Sequence, residues 1–193
     1  MLFSANLFAN ELSVSWQLVT DKNGIRVYTL ESTHSKIVKA KAQININAPL
    51  IKIKSILDDV THRHQWIPFL NISKTLTQYN NDKRIEYSHF HAPWPASDRD
   101  FVYEIELVKK TDTMIVYKMQ SIASSLMPLN DDKVRADLFE TIYTLTVKSD
   151  GSTDVELIYH ADPKGWIPNW IINIIQRVLP YKIMNNLREK AEK

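Results

Sequence analysis

The sequence predicts an α+β domain in which an antiparallel sheet packs against helices, and three observations lead to this fold class. Several segments alternate apolar and polar residues, as half-buried strands do. Tight-turn dipeptides, Asn23-Gly24 and Asp150-Gly151, join such segments directly, which favours antiparallel pairs. The end of the chain instead carries apolar residues at helical spacing. Strands that follow one another in sequence, with helices at the ends, are typical of this class.

The first element is predicted to be a short amphipathic helix over residues 1–16. Polar residues interrupt its apolar residues, and no lysine or arginine precedes Lys22. A secretory signal needs basic residues before an apolar run, so the segment is not expected to be one. No stretch of the sequence approaches the roughly 18 apolar residues of a membrane-spanning helix, so none is expected.

Two strands, a short helix and six further strands follow. The first two strands are expected over residues 26–30 and 37–46, where Val38, Ala40 and Ala42 alternate with lysines. A helix is expected after Pro49. The six later strands are expected over residues 73–79, 84–91, 101–109, 114–122, 134–147 and 153–159.

The last element is predicted to be one long helix over residues 167–190. Its apolar stripe is wider than a surface helix needs, so the stripe must be buried against the sheet. Pro180 lies within this segment and is expected to end its first part or to kink it.

Composition restricts the class of protein. The 193 residues, 44% of them hydrophobic, favour one folded domain over residues 1–193 rather than disorder. A net charge of +2 is too small to predict nucleic-acid binding. The chain has no cysteine, which suits a reducing compartment such as the cytoplasm, although many exported bacterial proteins also lack it. The three glycines cannot build a phosphate-binding loop, so no cofactor is expected.

Five segments of the chain carry recognisable motifs: WQLV (16–19) with NGIRVY (23–28), RHQW (63–66), PASDRDFVY (95–103), VRA (134–136) and DPKGWIPNWIIN (162–173). In this order they resemble the START family, the steroidogenic acute regulatory protein-related lipid transfer domains. The resemblance implies a helix-grip fold, in which a curved antiparallel sheet wraps round the long C-terminal helix. It also implies that one lipid or sterol lies between them, with the helix and a neighbouring loop as a lid.

Strand and helix periodicity predicts the walls of such a cavity. Alternate residues of a strand point to one face, so the apolar set opposite Glu104 and Glu106 faces inward. The same residues would equally suit a packed core, and only the family resemblance favours a cavity. The predicted apolar wall consists of Phe101, Tyr103, Ile105, Tyr117, Leu157, Tyr159, Ile171, Ile174, Ile175 and Val178.

A polar group on this face is expected to hold the head group of a ligand. Glu86 shares a face with Ser88 and Phe90. The resemblance implies that sterol-binding members have an acidic residue at the position of Glu86 and pair it with an arginine on the next strand. In this chain the position of that arginine is occupied by Ile105. This departure weakens a sterol hypothesis.

Two arginines remain as candidate ligand-binding residues. Arg99 and Arg135 are predicted partners for Glu86 or for a lipid phosphate. The alternative is that each forms a structural ion pair with Asp98, Asp100 or Asp137.

Metal and catalytic sites are not predicted. Histidines two apart share a strand face, but neither His62 with His64 nor His89 with His91 has a third ligand at convincing spacing. They are interpreted as surface or loop residues. No nucleophile elbow and no catalytic cysteine is present.

The sequence therefore predicts a monomeric, non-enzymatic carrier of a lipid or other hydrophobic small molecule. Six basic and two acidic residues between Lys164 and Lys193 predict transient membrane contact through the C-terminal helix. The alternative is a cyclase or hydratase on the same fold, acting on an aromatic or polyketide substrate through Glu86 with Tyr103 or Tyr117. A third possibility is a regulatory module whose pocket tunes a partner.

Overall fold

The computed structural model describes residues 15–32 and 35–193. The helix expected over residues 1–16 thus lies almost wholly outside the described residues. Within them, ten strands form one sheet: β1 (Gln17–Lys22), β2 (Ile25–Ser32), β3 (Ser35–Ile46), β4 (Leu70–Gln78), β5 (Lys83–Phe90), β6 (Asp98–Lys110), β7 (Met114–Ser121), β8 (Lys133–Arg135), β9 (Asp137–Val147) and β10 (Thr153–Asp162).

The sheet is antiparallel along its main path, in the order β1-β2-β3-β10-β9-β7-β6-β5-β4. The short strand β8 lies off this path and pairs in parallel with β6. The chain therefore crosses from β3 to the opposite edge at β4, and the two halves of the sheet meet where β3 pairs with β10.

Helices cover one face of the sheet. Helix α1 (Leu50–Asp58) and a single 3-10 turn (Arg63–Gln65) connect β3 to β4. The C-terminal helix consists of α2 (Asn169–Asn173), a π-helical segment (Ile174–Val178) and α3 (Leu179–Ala191). This is the predicted helix-grip arrangement.

Pro180 lies at the start of α3, so the helix is divided next to the proline, where the end of its first part or a kink was expected. It lies in the first turn of α3, where a missing backbone N–H is tolerated. The N–H of Leu179 bonds to the carbonyl of Ile174, five residues earlier. The wider turn before the proline therefore lets the helix continue through it.

Two strands were missed or merged by the sequence patterns. Strand β1 has no buried residue and its register with β2 shifts between Leu18 and Thr20, so it shows no clear alternation. The strand expected over residues 134–147 is divided at Ala136 into β8 and β9. The N–H of Ala136 instead bonds to the carbonyl of Asp100, at 3.0 Å.

The two halves of the C-terminal helix are anchored very differently. Helix α3 buries six side chains, among them Ile183, Met184 and Leu187, and contacts α1, β2 and β3. Helix α2 buries Ile171 alone, and the π-helical segment buries none of its side chains. A fully buried aliphatic side chain contributes about 1.5–3 kcal/mol. The C-terminal half is therefore held firmly, and the half over the cavity described below is held loosely.

Candidate ligand-binding cavity

A cavity of about 170 Å³ lies between the middle of the sheet and the first half of the C-terminal helix. Its walls are mostly apolar. The exposed wall residues Phe69 and His91 mark where it reaches the surface. The apolar side chains around it include Leu57, Phe101, Met119, Leu138, Leu157 and Ile171.

The structure brings eight of the thirteen predicted site residues together around this cavity. They come from β6, the loosely held part of the C-terminal helix, and β10. They are Arg99, Phe101, Tyr103, Leu157, Tyr159, Ile171, Ile174 and Ile175.

The other five predicted residues lie elsewhere: Glu86, Ile105, Tyr117, Arg135 and Val178. Ile105 and Tyr117 are buried in the packed core, and the Tyr117 hydroxyl donates to Asp58 Oδ1 at 2.8 Å. Val178 is 39% exposed. It was placed by α-helical spacing, and the π-helical turn breaks that spacing, so the side chain no longer follows Ile174 and Ile175.

Glu86 is completely buried and lies below the cavity wall in an ion-pair network. Arg63 bonds to both of its carboxylate oxygens, with Nη2 to Oε1 at 3.3 Å, and Arg84 Nε also bonds to Oε1. The Tyr103 hydroxyl donates to Oε2 at 2.9 Å. Burial alone would raise the pKa of Glu86, but the two guanidinium charges hold it below its ordinary value.

The partners of Glu86 are thus Arg63 and Arg84, and neither Arg99 nor Arg135. Arg63 comes from the 3-10 turn and also donates from Nε to the Leu57 carbonyl at 3.1 Å. The RHQW motif contains this arginine, but strand alternation does not place a turn residue against β5. Sequence reasoning therefore missed it.

Arg99 connects two loops beside the cavity. Its Nε donates to the Pro163 carbonyl at 3.1 Å, and its Nη2 to the carbonyls of Lys164 and Trp166 at 3.0 Å. Its Nη1 donates to the Ser97 carbonyl. The loop before β6 and the loop before α2 are therefore held to each other by one guanidinium.

Arg135 forms a structural ion pair on the other side of the sheet. Its Nε and Nη2 lie 2.7 and 3.1 Å from the two oxygens of Asp100. This is the alternative that the sequence left open for Arg135. Asp137 pairs instead with Lys164, at 2.6 Å.

His89 is buried, which contradicts its interpretation as a surface or loop residue. Its Nε2 lies 2.8 Å from Asp98 Oδ2, and His91 Nδ1 lies 3.1 Å from Oδ1. Burial raises the pKa of Asp98, but the Ala92 N–H and the two histidines together hold it below its ordinary value. Over residues 15–32 and 35–193, no three His, Asp or Glu side chains are grouped as a metal site would need.

Sequence reasoning also missed wall residues on β9. Thr141 and Tyr143 line the cavity from this strand, and Tyr143 lies directly opposite Leu157 of β10. These two residues alternate with Ile142 and Thr144, and this alternation is the pattern that would have indicated that they share the inward face. The sequence predicts a strand here, but the predicted cavity wall contains no residue of it.

A curved sheet that closes on a C-terminal helix around an apolar cavity defines a helix-grip binding domain. No helix in the described part of the chain is long and apolar enough to cross a membrane. The family model of the START domain matches residues 7–190. The chain belongs to this family.

Similar proteins cover most of the chain. An uncharacterised protein of Pseudomonas aeruginosa is 27% identical over 184 residues, which are 95% of this chain and 90% of that protein. The phosphatidylcholine transfer protein of Mus musculus is 26% identical over 82% of this chain and 75% of its own length. A crystal structure of a STAR-related lipid transfer protein fragment from Xanthomonas axonopodis superposes with a TM-score of 0.80 at 27% identity, over 92% of this chain and 99% of the fragment.

Proposed function

We propose that this domain binds a lipid in the cavity and carries it between membranes in the cytoplasm. The observation that carries the proposal is an apolar cavity covered by the weakly anchored half of the C-terminal helix. The names of the mouse and Xanthomonas relatives, a phosphatidylcholine transfer protein and a lipid transfer protein, support it.

The apolar wall supplies the driving force for binding. Each methylene moved from water into an apolar pocket contributes about 0.8 kcal/mol. An acyl chain with about ten buried methylenes therefore offers about 8 kcal/mol, less the cost of its lost freedom. Affinity then needs few polar contacts.

Ligand entry requires the cavity to expand. Pockets for small molecules usually measure about 300–1,000 Å³, and this cavity measures about 170 Å³. Outward movement of α2 and the π-helical segment gives the extra space, because that half of the helix buries one side chain while α3 stays packed. The same movement releases the lipid.

Native mass spectrometry after gentle purification tests the proposal. We expect a co-purifying lipid that is exchanged for labelled lipid on incubation with vesicles. A protein that carries no lipid and moves none from donor to acceptor vesicles would contradict the function.

We also propose that one end of the cavity, which carries two exposed tryptophans, contacts the membrane. Trp94 is 89% exposed and Trp166 68% exposed. They lie in the two loops that Arg99 connects. Tryptophan is favoured at membrane–water interfaces. One of the basic residues predicted to contact the membrane, Lys164, forms an ion pair with Asp137 within the domain.

Replacing both Trp94 and Trp166 by alanine is expected to slow lipid transfer between vesicles about tenfold, because two interfacial anchors are lost. The affinity for lipid delivered without membranes should not change. The control is Tyr79→Ala, which removes a 57% exposed aromatic side chain at the opposite end of β4 and β5. Equal slowing by the control variant would argue against this contact surface.

The enzyme hypothesis requires Glu86 to face the ligand as an acid or base. Glu86 lies outside the cavity lining, two arginines neutralise it, and Tyr103 already donates to it. These contacts favour a structural role for Glu86, and a carrier without catalysis is accordingly what we propose.

A further inference from the structure

Two tyrosines on neighbouring strands present hydroxyl groups to the cavity. Tyr143 of β9 lies opposite Leu157 of β10, and Tyr159 is two residues further along β10, on the same face. Diagonal neighbours of this kind are within reach of one small group between them. Both side chains line the cavity, together with Thr141, which lies opposite Tyr159.

Neither of these hydroxyls has a hydrogen-bond partner among the described residues. Other buried tyrosines do: Tyr103 donates to Glu86 at 2.9 Å, and Tyr117 donates to Asp58 at 2.8 Å. Tyr143 is only 5% exposed. Neither hydroxyl oxygen is fully covered by protein atoms, so both remain accessible to an acceptor that the protein does not supply.

The surroundings of the pair keep both hydroxyls protonated. Burial raises the pKa of Tyr143 above its ordinary value and that of Tyr159 to about 12, so both hydroxyls keep their protons and act as donors. The positive charge of Arg63 acts on Tyr143 in the opposite direction.

This part of the cavity does not suit a phosphate group. The two arginines that line it, Arg63 and Arg99, have protein acceptors on all three guanidinium nitrogens. The charge of Arg63 is moreover compensated by Glu86. The open donors are hydroxyl groups, which suit a carbonyl or carboxyl oxygen.

From these contacts we infer that the cavity takes an acyl chain whose carbonyl or carboxyl oxygen accepts hydrogen bonds from Tyr143 and Tyr159. The inference rests on the proposed function and names the chemistry of its ligand. A free fatty acid and a fatty acyl ester share this oxygen. The alkyl chain would lie along the apolar wall that includes Met119, Leu138 and Ile171.

The test compares three ligands, palmitic acid, methyl palmitate and hexadecane, in the wild type and in the double variant Tyr143→Phe/Tyr159→Phe. Each ligand is delivered from cyclodextrin, and its binding is measured by native mass spectrometry. We expect the double variant to bind the carbonyl ligands about tenfold more weakly or worse, because two hydrogen bonds are lost. Hexadecane binding should not change. If the double variant binds the acid more weakly but the ester as before, the site is specific for carboxyl groups. If it binds both more weakly, the site accepts carbonyl oxygens in general.

The matched control is Tyr117→Phe, which removes a buried hydroxyl outside the cavity lining. It should leave the preference for the carbonyl ligands over hexadecane unchanged. Equal loss of all three ligands in the double variant, or no loss of the carbonyl ligands, would overturn the inference. A wild type that binds none of the three and no vesicle lipid would instead contradict the proposed function itself.

Discussion

Replacing Arg63 by methionine is expected to destabilise the domain by about 3–5 kcal/mol. The substitution leaves the completely buried Glu86 with Arg84 as its remaining cationic partner and frees the Leu57 carbonyl of its two donated bonds. Removing one partner of a buried pair is costly because the other charge stays desolvated. Urea unfolding followed by circular dichroism measures the loss.

The stability of the same variant should depend less on pH in the acid range. In the wild type, the lowered pKa of Glu86 contributes stability above its unfolded pKa of about 4.3. That contribution is lost as the pH falls through the lower folded value. Without Arg63, burial opposes ionisation more strongly and the folded pKa rises toward or past the unfolded value, so Glu86 has less pH-dependent stability to lose as the pH falls.

An exposed ion pair provides the control for Arg63. Lys83 lies 2.8 Å from Glu104, and both side chains are about one-third exposed. Lys83→Met should therefore destabilise the domain far less than Arg63→Met does. A loss of stability in Arg63→Met no larger than that in Lys83→Met, with the wild-type dependence of stability on pH, would show that the Arg63–Glu86 pair does not stabilise the fold as argued.

Replacing Thr141 by phenylalanine is expected to weaken lipid binding more than a hundredfold. Thr141 is buried and lines the cavity from β9. A phenyl ring there occupies the space of about four methylenes of a lipid, worth about 3 kcal/mol of binding energy. Stability should change by about 1 kcal/mol or less, because the ring enters the cavity and does not displace packed atoms.

Thr144→Phe is the matched control for this substitution. Thr144 lies on the same strand three residues away, so its side chain points to the opposite face of the sheet. Its replacement should leave lipid binding unchanged. If Thr141→Phe unfolds like the wild type and still binds lipid equally well, the lipid must bind outside this cavity.

Local patterns predicted most of the elements but not the irregular ones. Alternation identified β7, β10 and the part of β6 from Tyr103 to Leu107, because each has one buried and one more polar face. That difference is visible in the residues themselves. Strand β1 has no buried face, so it left no such pattern. The displacement of Val178 depends on the π-helical turn before Pro180, which a fixed 3.6-residue period cannot represent.

The sequence by itself determined the α+β class, the helix-grip family and the inward faces of several strands. These properties depend on periodicity and on motifs within short segments. Only the tertiary structure showed that Glu86 pairs with Arg63, that Arg99 connects two loops, and that the hydroxyls of Tyr143 and Tyr159 face the cavity without a partner. Such contacts join residues far apart in the chain, so they depend on strand order and on packing between elements, which no local pattern contains.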